Sequence, residues 1–164
     1  MINEIDGIIR ESLIELVDFV WATNWYGRER EVISLFAFGF LLPRCRPESV
    51  LRHQTQVAIE GAVIQISGPN RKKLVTKDMV IWPEPLMNVW DEDRQPVNYP
   101  AAILEWKANK TTVSSYDVNW LRQFSSDLPD FVGYAVCLDV LQRRFRLSCT
   151  RVQQGQAHNR WLLL

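Results

Sequence analysis

The hydrophobic period of this chain changes once, near Val57, and that change restricts the folds open to it. Upstream, apolar residues recur at three- and four-residue spacing: Ile5, Ile9, Leu13, Leu16 and Val20 form one stripe, with the acids largely on the other side. This pattern predicts an amphipathic helix over about 3–21. A break at Asn24-Trp25-Tyr26-Gly27 precedes a second helix over Arg28–Leu42. There Val32, Ile33, Phe36 and Phe40 continue the apolar face until Pro43 forbids further helix. Glu29 falls on that apolar face one turn before Val32 and Ile33, whereas Glu31 projects elsewhere.

Downstream the runs are β-branched and of strand length. VAIEGAVIQI and KLVTKDMVIW, joined by Ser67-Gly68-Pro69-Asn70-Arg71-Lys72, read as a β-hairpin. Pro83–Pro100 carries four prolines and Asp91-Glu92-Asp93, so it reads as a long excursion without regular structure. AAILEWK is a short apolar strand, and Ser114–Ser126 a helix with Tyr116, Trp120, Leu121 and Phe124 spaced for burial. FVGYAVCLDV is a nearly continuous apolar run, as expected of a sheet-buried strand, and RRFRLSCTRV and NRWLLL read as strands after it. The expected fold class is α/β: one domain over 1–164, a central mixed sheet flanked by helices, in the order α-α-β-β-β-α-β-β.

Composition narrows the functions open to such a chain. With 47% hydrophobic and 23% charged residues over 164 positions, it has the balance of an ordinary globular domain rather than a disordered or fibrous one. Nineteen Lys and Arg balance nineteen Asp and Glu, so no bulk positive field gathers nucleic acid, and any polyanion site must be local. The charges are nevertheless segregated. Residues 1–26 carry five acids against Arg10, while residues 140–164 hold Arg143, Arg144, Arg146, Arg151 and Arg160 without an acid. A second basic knot is Arg71-Lys72-Lys73 followed by Lys77. Such runs are either solvated turns or a phosphate-contacting rim beside a catalytic centre. Three cysteines without CxxC spacing read as reduced, buried thiols of a cytoplasmic protein. The first residues have neither the basic start nor the apolar run of a signal peptide, and no stretch reads as a membrane span.

One constellation carries chemistry. Asp78 lies in the second strand, and Glu105 and Lys107 flank Trp106 at the end of the third. Residues i and i+2 of a strand share a face, so Glu105 and Lys107 project together, and the neighbouring hairpin can bring Asp78 opposite them. Isolated charges on a buried face are costly, so these groups either pair in a structural salt bridge or bind something. Lys77-Asp78-Met79-Val80-Ile81 followed by Ile103-Leu104-Glu105-Trp106-Lys107, with Glu29 on a preceding helix, resembles the PD-(D/E)xK nuclease superfamily across most of residues 28–140. Glu29-Arg30-Glu31-Val32-Ile33, ending in Gly39-Phe40, resembles the first helix of archaeal Holliday-junction resolvases. The chain departs from the pattern at Lys77, where the family's proline would stand, and in the insertion Pro83–Pro100.

The resemblance implies a restriction-endonuclease-like core in the order α-β-β-β-α-β. It also implies a Mg²⁺ or Mn²⁺ site on Asp78, Glu105 and the carbonyl of Trp106, with Lys107 as catalytic lysine and Glu29 as auxiliary acid. Hard divalent cations suit such oxygen ligands. The expected activity is metal-dependent phosphodiester hydrolysis of DNA, with branched DNA and RNA open to the same chemistry. Arg71, Lys72, Lys73, Lys77, Arg143, Arg144 and Arg146 are the expected nucleic-acid contacts. A homodimer through the apolar C-terminal end and the first helix would let one centre per chain serve both strands. The alternative is a catalytically inactive module that keeps the fold for nucleic-acid binding or protein interaction. His53 and His158 lack metal-ligand spacing, and no phosphate-binding glycine loop is present.

Overall fold

The computed structural model describes residues 2–65, 74–140 and 145–164. Helix α1 spans Ile2–Thr23 and buries the predicted stripe of Ile5, Ile9, Leu13, Leu16 and Val20. Helix α2 is shorter than expected, Glu29–Leu35, because the chain then widens into a π-helical turn over Phe36–Leu41 and tightens into a 3₁₀ turn, Leu42–Arg44, with Pro43 in it. The wide turn buries Phe36, Ala37 and Leu41 together. Glu31 accepts the backbone N–H of Arg28 at 2.6 Å and so caps α2, while Glu29 is left to point elsewhere.

Among the described residues six strands form one sheet in sequential order: β1 Val57–Ile64, β2 Leu74–Ile81, β3 Ala102–Ala108, β4 Val132–Asp139, β5 Arg146–Gln153 and β6 Gln156–Leu163. All neighbours are antiparallel except β3 and β4, which are parallel and joined through helix α3, Ser115–Ser126. Three runs read as strands after the last helix, although the order written from them counts two; the structure has all three. A two-residue turn, Gln154-Gly155, in which both residues are left-handed (φ 49° and 72°), folds the Arg-rich and terminal runs back as a hairpin. The turn is pinned to α3, since Gly155 N–H donates to Ser125 Oγ at 2.9 Å and Arg122 Nε donates to Gly155 O at 2.9 Å.

Apolar layers cover both faces of the sheet. One gathers α1, α2 and the π turn against Met79, Leu104, Trp106, Tyr134 and Val136; the other gathers α3 residues Leu121 and Phe124 with Val80, Ile103 and Phe131. Tyr116, expected inside, is 74% exposed, because the buried stripe of α3 runs through Asp117, Leu121, Phe124 and Ser125, one position away. The segment between β2 and β3 has no helix or strand beyond an isolated bridge of Trp90 with Pro96, as its prolines required. Cys137 and Cys149 are buried free thiols, and Cys45 is a half-buried one. Among the described residues no helix is long and apolar enough to cross a membrane.

A polar network fastens α1 to the sheet. Asp6 Oδ1 accepts from Tyr134 Oη at 2.6 Å and from Arg151 Nε at 2.7 Å, and Arg151 also donates to Gln153. Asp6→Ala removes the acceptor that two largely buried donors share. The expected loss is about 2–3 kcal/mol in denaturant unfolding, with Tyr134→Phe costing less because it leaves the ion pair intact.

Candidate functional site

Strands β2 and β3 stay paired only from Ile81↔Ala102 to Met79↔Leu104. The next rung would set Asp78 opposite Glu105, and there side chains replace the ladder. Asp78 Oδ2 accepts the N–H of Trp106 at 2.7 Å, and the N–H of Asp78 points to Glu105 Oε2 at 3.4 Å. The β1 side is interrupted at the same level. Ile59 pairs with Met79 and Gly61 with Lys77, but the intervening Glu60 takes φ 53° and leaves the register. A left-handed non-glycine residue inside a strand is a strained feature, and this one sends its carboxylate to Arg30 of α2 at 2.9 Å. Asp78 therefore sits where the sheet opens on both sides.

Glu105 is 7% exposed and meets Lys77, whose Nζ lies 2.5 Å from Oε1 and 3.5 Å from the centre of the Trp120 ring of α3. Burial holds the Glu105 carboxyl above the ordinary carboxylate range; Lys77 pulls against this, and Asp78 and Asp117 reinforce it. Lys77, expected among the phosphate contacts, is thus an interior partner of Glu105. The reason is that it lies on the strand level where the opened ladder leaves Glu105 without other compensation.

Lys107 is steadied from three sides. Its Nζ donates to Trp106 O at 2.7 Å and stands 3.6 Å from both Glu29 Oε1 and Asp117 Oδ2. The other oxygen of Glu29 accepts the N–H of Ala108 at 3.2 Å, so α2 reaches across the end of β3. Burial works against the ammonium charge, but the carboxylates of Asp117, Glu29, Asp78 and Glu105 outweigh it and raise the lysine above its ordinary value. Burial likewise pushes the thiol of Cys137, whose Sγ donates to Lys110 O nearby, up to about 11.

Asp78, Glu29 and the β3 residues Glu105 and Lys107, brought from three separate elements, therefore form one cluster, together with Lys77 and Asp117. Asp117 is not legible as a site residue. It is the acid of a Ser114-Ser115-Tyr116-Asp117 helix start, with Ser114 Oγ accepting the Asp117 N–H as its cap, and such acids ordinarily serve the helix terminus. The carbonyl of Trp106 is held by Lys107. Of the other predicted basic contacts, Arg146 is exposed at the start of β5, while Arg71, Lys72, Lys73, Arg143 and Arg144 lie outside the described residues. Arg151, grouped with them by sequence, is engaged by Asp6.

The donor set is hard oxygen throughout, which suits Mg²⁺ or Mn²⁺ rather than a soft metal. Among the described residues no three His, Cys, Asp or Glu side chains are grouped as a complete metal set. Comparison with protein-family models, curated proteins and solved structures finds no match for this chain.

Because the folded Lys107 has a raised pKa, its contribution to stability is fully present below the ordinary lysine value and is lost as pH rises through the folded value. Asp117→Asn removes one carboxylate that supports the charge. The Lys107 ammonium, followed by NMR titration, is expected to deprotonate at lower pH in that variant; an unmoved titration would show that the 3.6 Å approach carries no weight.

Proposed function

We propose that this chain is a divalent-cation-dependent phosphodiesterase of the PD-(D/E)xK kind that acts on DNA. The observation that carries the reading is that Asp78 and Glu105 meet where β2 parts from β3, with Lys107 two residues further along β3 and near enough for both carboxylates to support its charge. The run α2-β1-β2-β3-α3-β4, with its single parallel pair, agrees with the α-β-β-β-α-β order the resemblance implies. Asp78 and Glu105 would hold the cation, and the Trp106 carbonyl is the natural third oxygen. Such an ion supplies a lowered pKa for bound water and polarisation of the phosphate.

The chain's own residues do the rest. Lys107, carried by Glu29 and Asp117, offers a fixed ammonium to the attacking water and to the charge that builds on the phosphate oxygens. The water releases a proton to solvent as its oxygen bonds to phosphorus, the bond from phosphorus to the leaving sugar oxygen breaks, and that oxygen takes up a proton from solvent in exchange. A homodimer belongs to this reading, because antiparallel DNA strands are most simply met by two centres related by a two-fold axis. Leu163 and Leu164, 44% and 39% exposed at the end of edge strand β6, offer apolar surface for it.

One observation favours the second reading, a nuclease fold kept for binding alone. Glu105 already has a buried counter-ion in Lys77, and Asp78 already has a backbone donor. Metal dependence separates the two.

With Mg²⁺ or Mn²⁺ the wild-type protein is expected to cut plasmid or branched DNA and to stop on chelation. Asp78→Asn and Glu105→Gln should each abolish cutting while circular dichroism stays native; a double neutral variant that cuts at the wild-type rate overturns the assignment. For binding, affinity should fall with salt by a slope of about −0.9 per phosphate neutralised. Replacing Arg143, Arg144 and Arg146 by Ala should flatten that slope by about one unit for each phosphate left without its arginine. Binding that ignores salt points to a protein partner instead.

A further inference from the structure

The pairing in this cluster to which the proposed chemistry assigns no task is Lys77 with Glu105. Each side chain is 7% exposed, so the pair has given up nearly all its water. A buried ion pair is a poor stabilising device, since desolvation offsets most of the attraction and an apolar pair of like volume serves as well. The neighbours show that apolar packing is available at this depth: Met79, Val80 and Leu104 are all fully buried. A lysine is nevertheless placed here, and its ammonium rests against two acceptors at once, the Oε1 of Glu105 and the face of Trp120.

We propose that Lys77 is the resident counter-ion of the candidate site: it neutralises Glu105 when no divalent cation is held there, and it gives up that carboxylate to an arriving cation by withdrawing onto Trp120. The inference rests on the reading of Asp78 and Glu105 as cation ligands. Three features support it. Both oxygens of Glu105 are engaged, Oε1 by Lys77 and Oε2 by the N–H of Asp78, so an ion at Glu105 must share an oxygen with a present partner. A divalent ion on either oxygen would stand within a few ångströms of the ammonium, and like charges that close in a water-poor site repel strongly. The indole face, which the ammonium already touches, can hold it once the carboxylate is released. Lys107 does not substitute for Lys77, because its ammonium is placed by Trp106 O, Glu29 and Asp117. The resident ammonium therefore weakens cation binding by competition while keeping the empty site charge-balanced.

The test is direct cation binding, read without DNA. Mn²⁺ is titrated by calorimetry into the full chain as wild type, Lys77→Met and Lys77→Met/Glu105→Gln, and tryptophan emission is compared between wild type and Trp120→Phe. Lys77→Met is expected to bind Mn²⁺ about tenfold more tightly, because no fraction of the site is withheld by the ammonium. The double variant should lose binding. In the wild type, Mn²⁺ should change the part of the emission that Trp120→Phe removes, and Lys77→Met should show no such change. If Lys77→Met does not fold, the wild-type emission decides alone, with a cation-insensitive Trp120 overturning the proposal. Equal or weaker binding by a folded Lys77→Met also overturns it and leaves the ligand assignment standing. Absence of Mn²⁺ binding by both wild type and Lys77→Met overturns the ligand assignment itself, and this proposal with it.

Discussion

Strand β3 is buried on both faces, and a strand so placed can end in charged residues only where each charge finds a partner. The cluster follows from that requirement. Glu105 is met by Lys77, and Lys107 by Glu29 and Asp117, while Asp78 takes the backbone N–H that the broken β2–β3 ladder leaves open. Each partner comes from a different element, so α2, β2, β3 and α3 are held in mutual register by electrostatics as well as by packing. Removing Lys77 or Glu105 would leave the other buried and uncompensated, which is far costlier than losing a surface pair, whereas Lys107 keeps one carboxylate when it loses the other.

The layers outside that centre are arranged so that the opening can persist. The sheet is continuous through β3, β4 and β5, β6 joins it with one register shift between Cys149 and Arg151, and the apolar clusters meet both faces. Toward β1 the sheet is interrupted at the level of Asp78, by Glu60 on one side and by Glu105 on the other. A strand that lost its backbone pairing without side-chain substitutes would bury unsatisfied N–H groups, and here the carboxylates supply the acceptors. The left-handed Glu60 turns its carboxylate to Arg30, which lies next to Glu29 on the same helix turn. Helix α2 thus spans the opened region, with one side chain reaching β1 and the next reaching β3.

Much of the fold is legible in the chain because it depends on local periodicity. The stripe of α1, the hairpin arms, the β3 run, the irregular proline segment and the continuous β4 run all appear where their patterns place them. The differences are positional. Tyr116 reads as interior because it is four residues from Trp120, yet a helix start can be rotated by one position at no local cost. The hairpin of the last two strands is unsignalled at its turn, because Gln154-Gly155 is a weak turn signal beside an Asn-Gly pair, and its pairing with β5 and hydrogen bonds to α3 hold it.

For the candidate site, the linear order of residues fixes the reactive types and their spacing on single elements: Glu105 and Lys107 share a face because a strand alternates, and Asp78 lies on an adjacent arm. Which charge meets which is settled only when the elements pack. Lys77 reads as one more cation of a basic run and is instead the buried partner of Glu105; Asp117 reads as a helix-start acid and instead faces Lys107. Pairing of charges between elements depends on where the ladder breaks and how deeply each group is buried. Those quantities arise from the helices and strands packed together, and no window of sequence contains them.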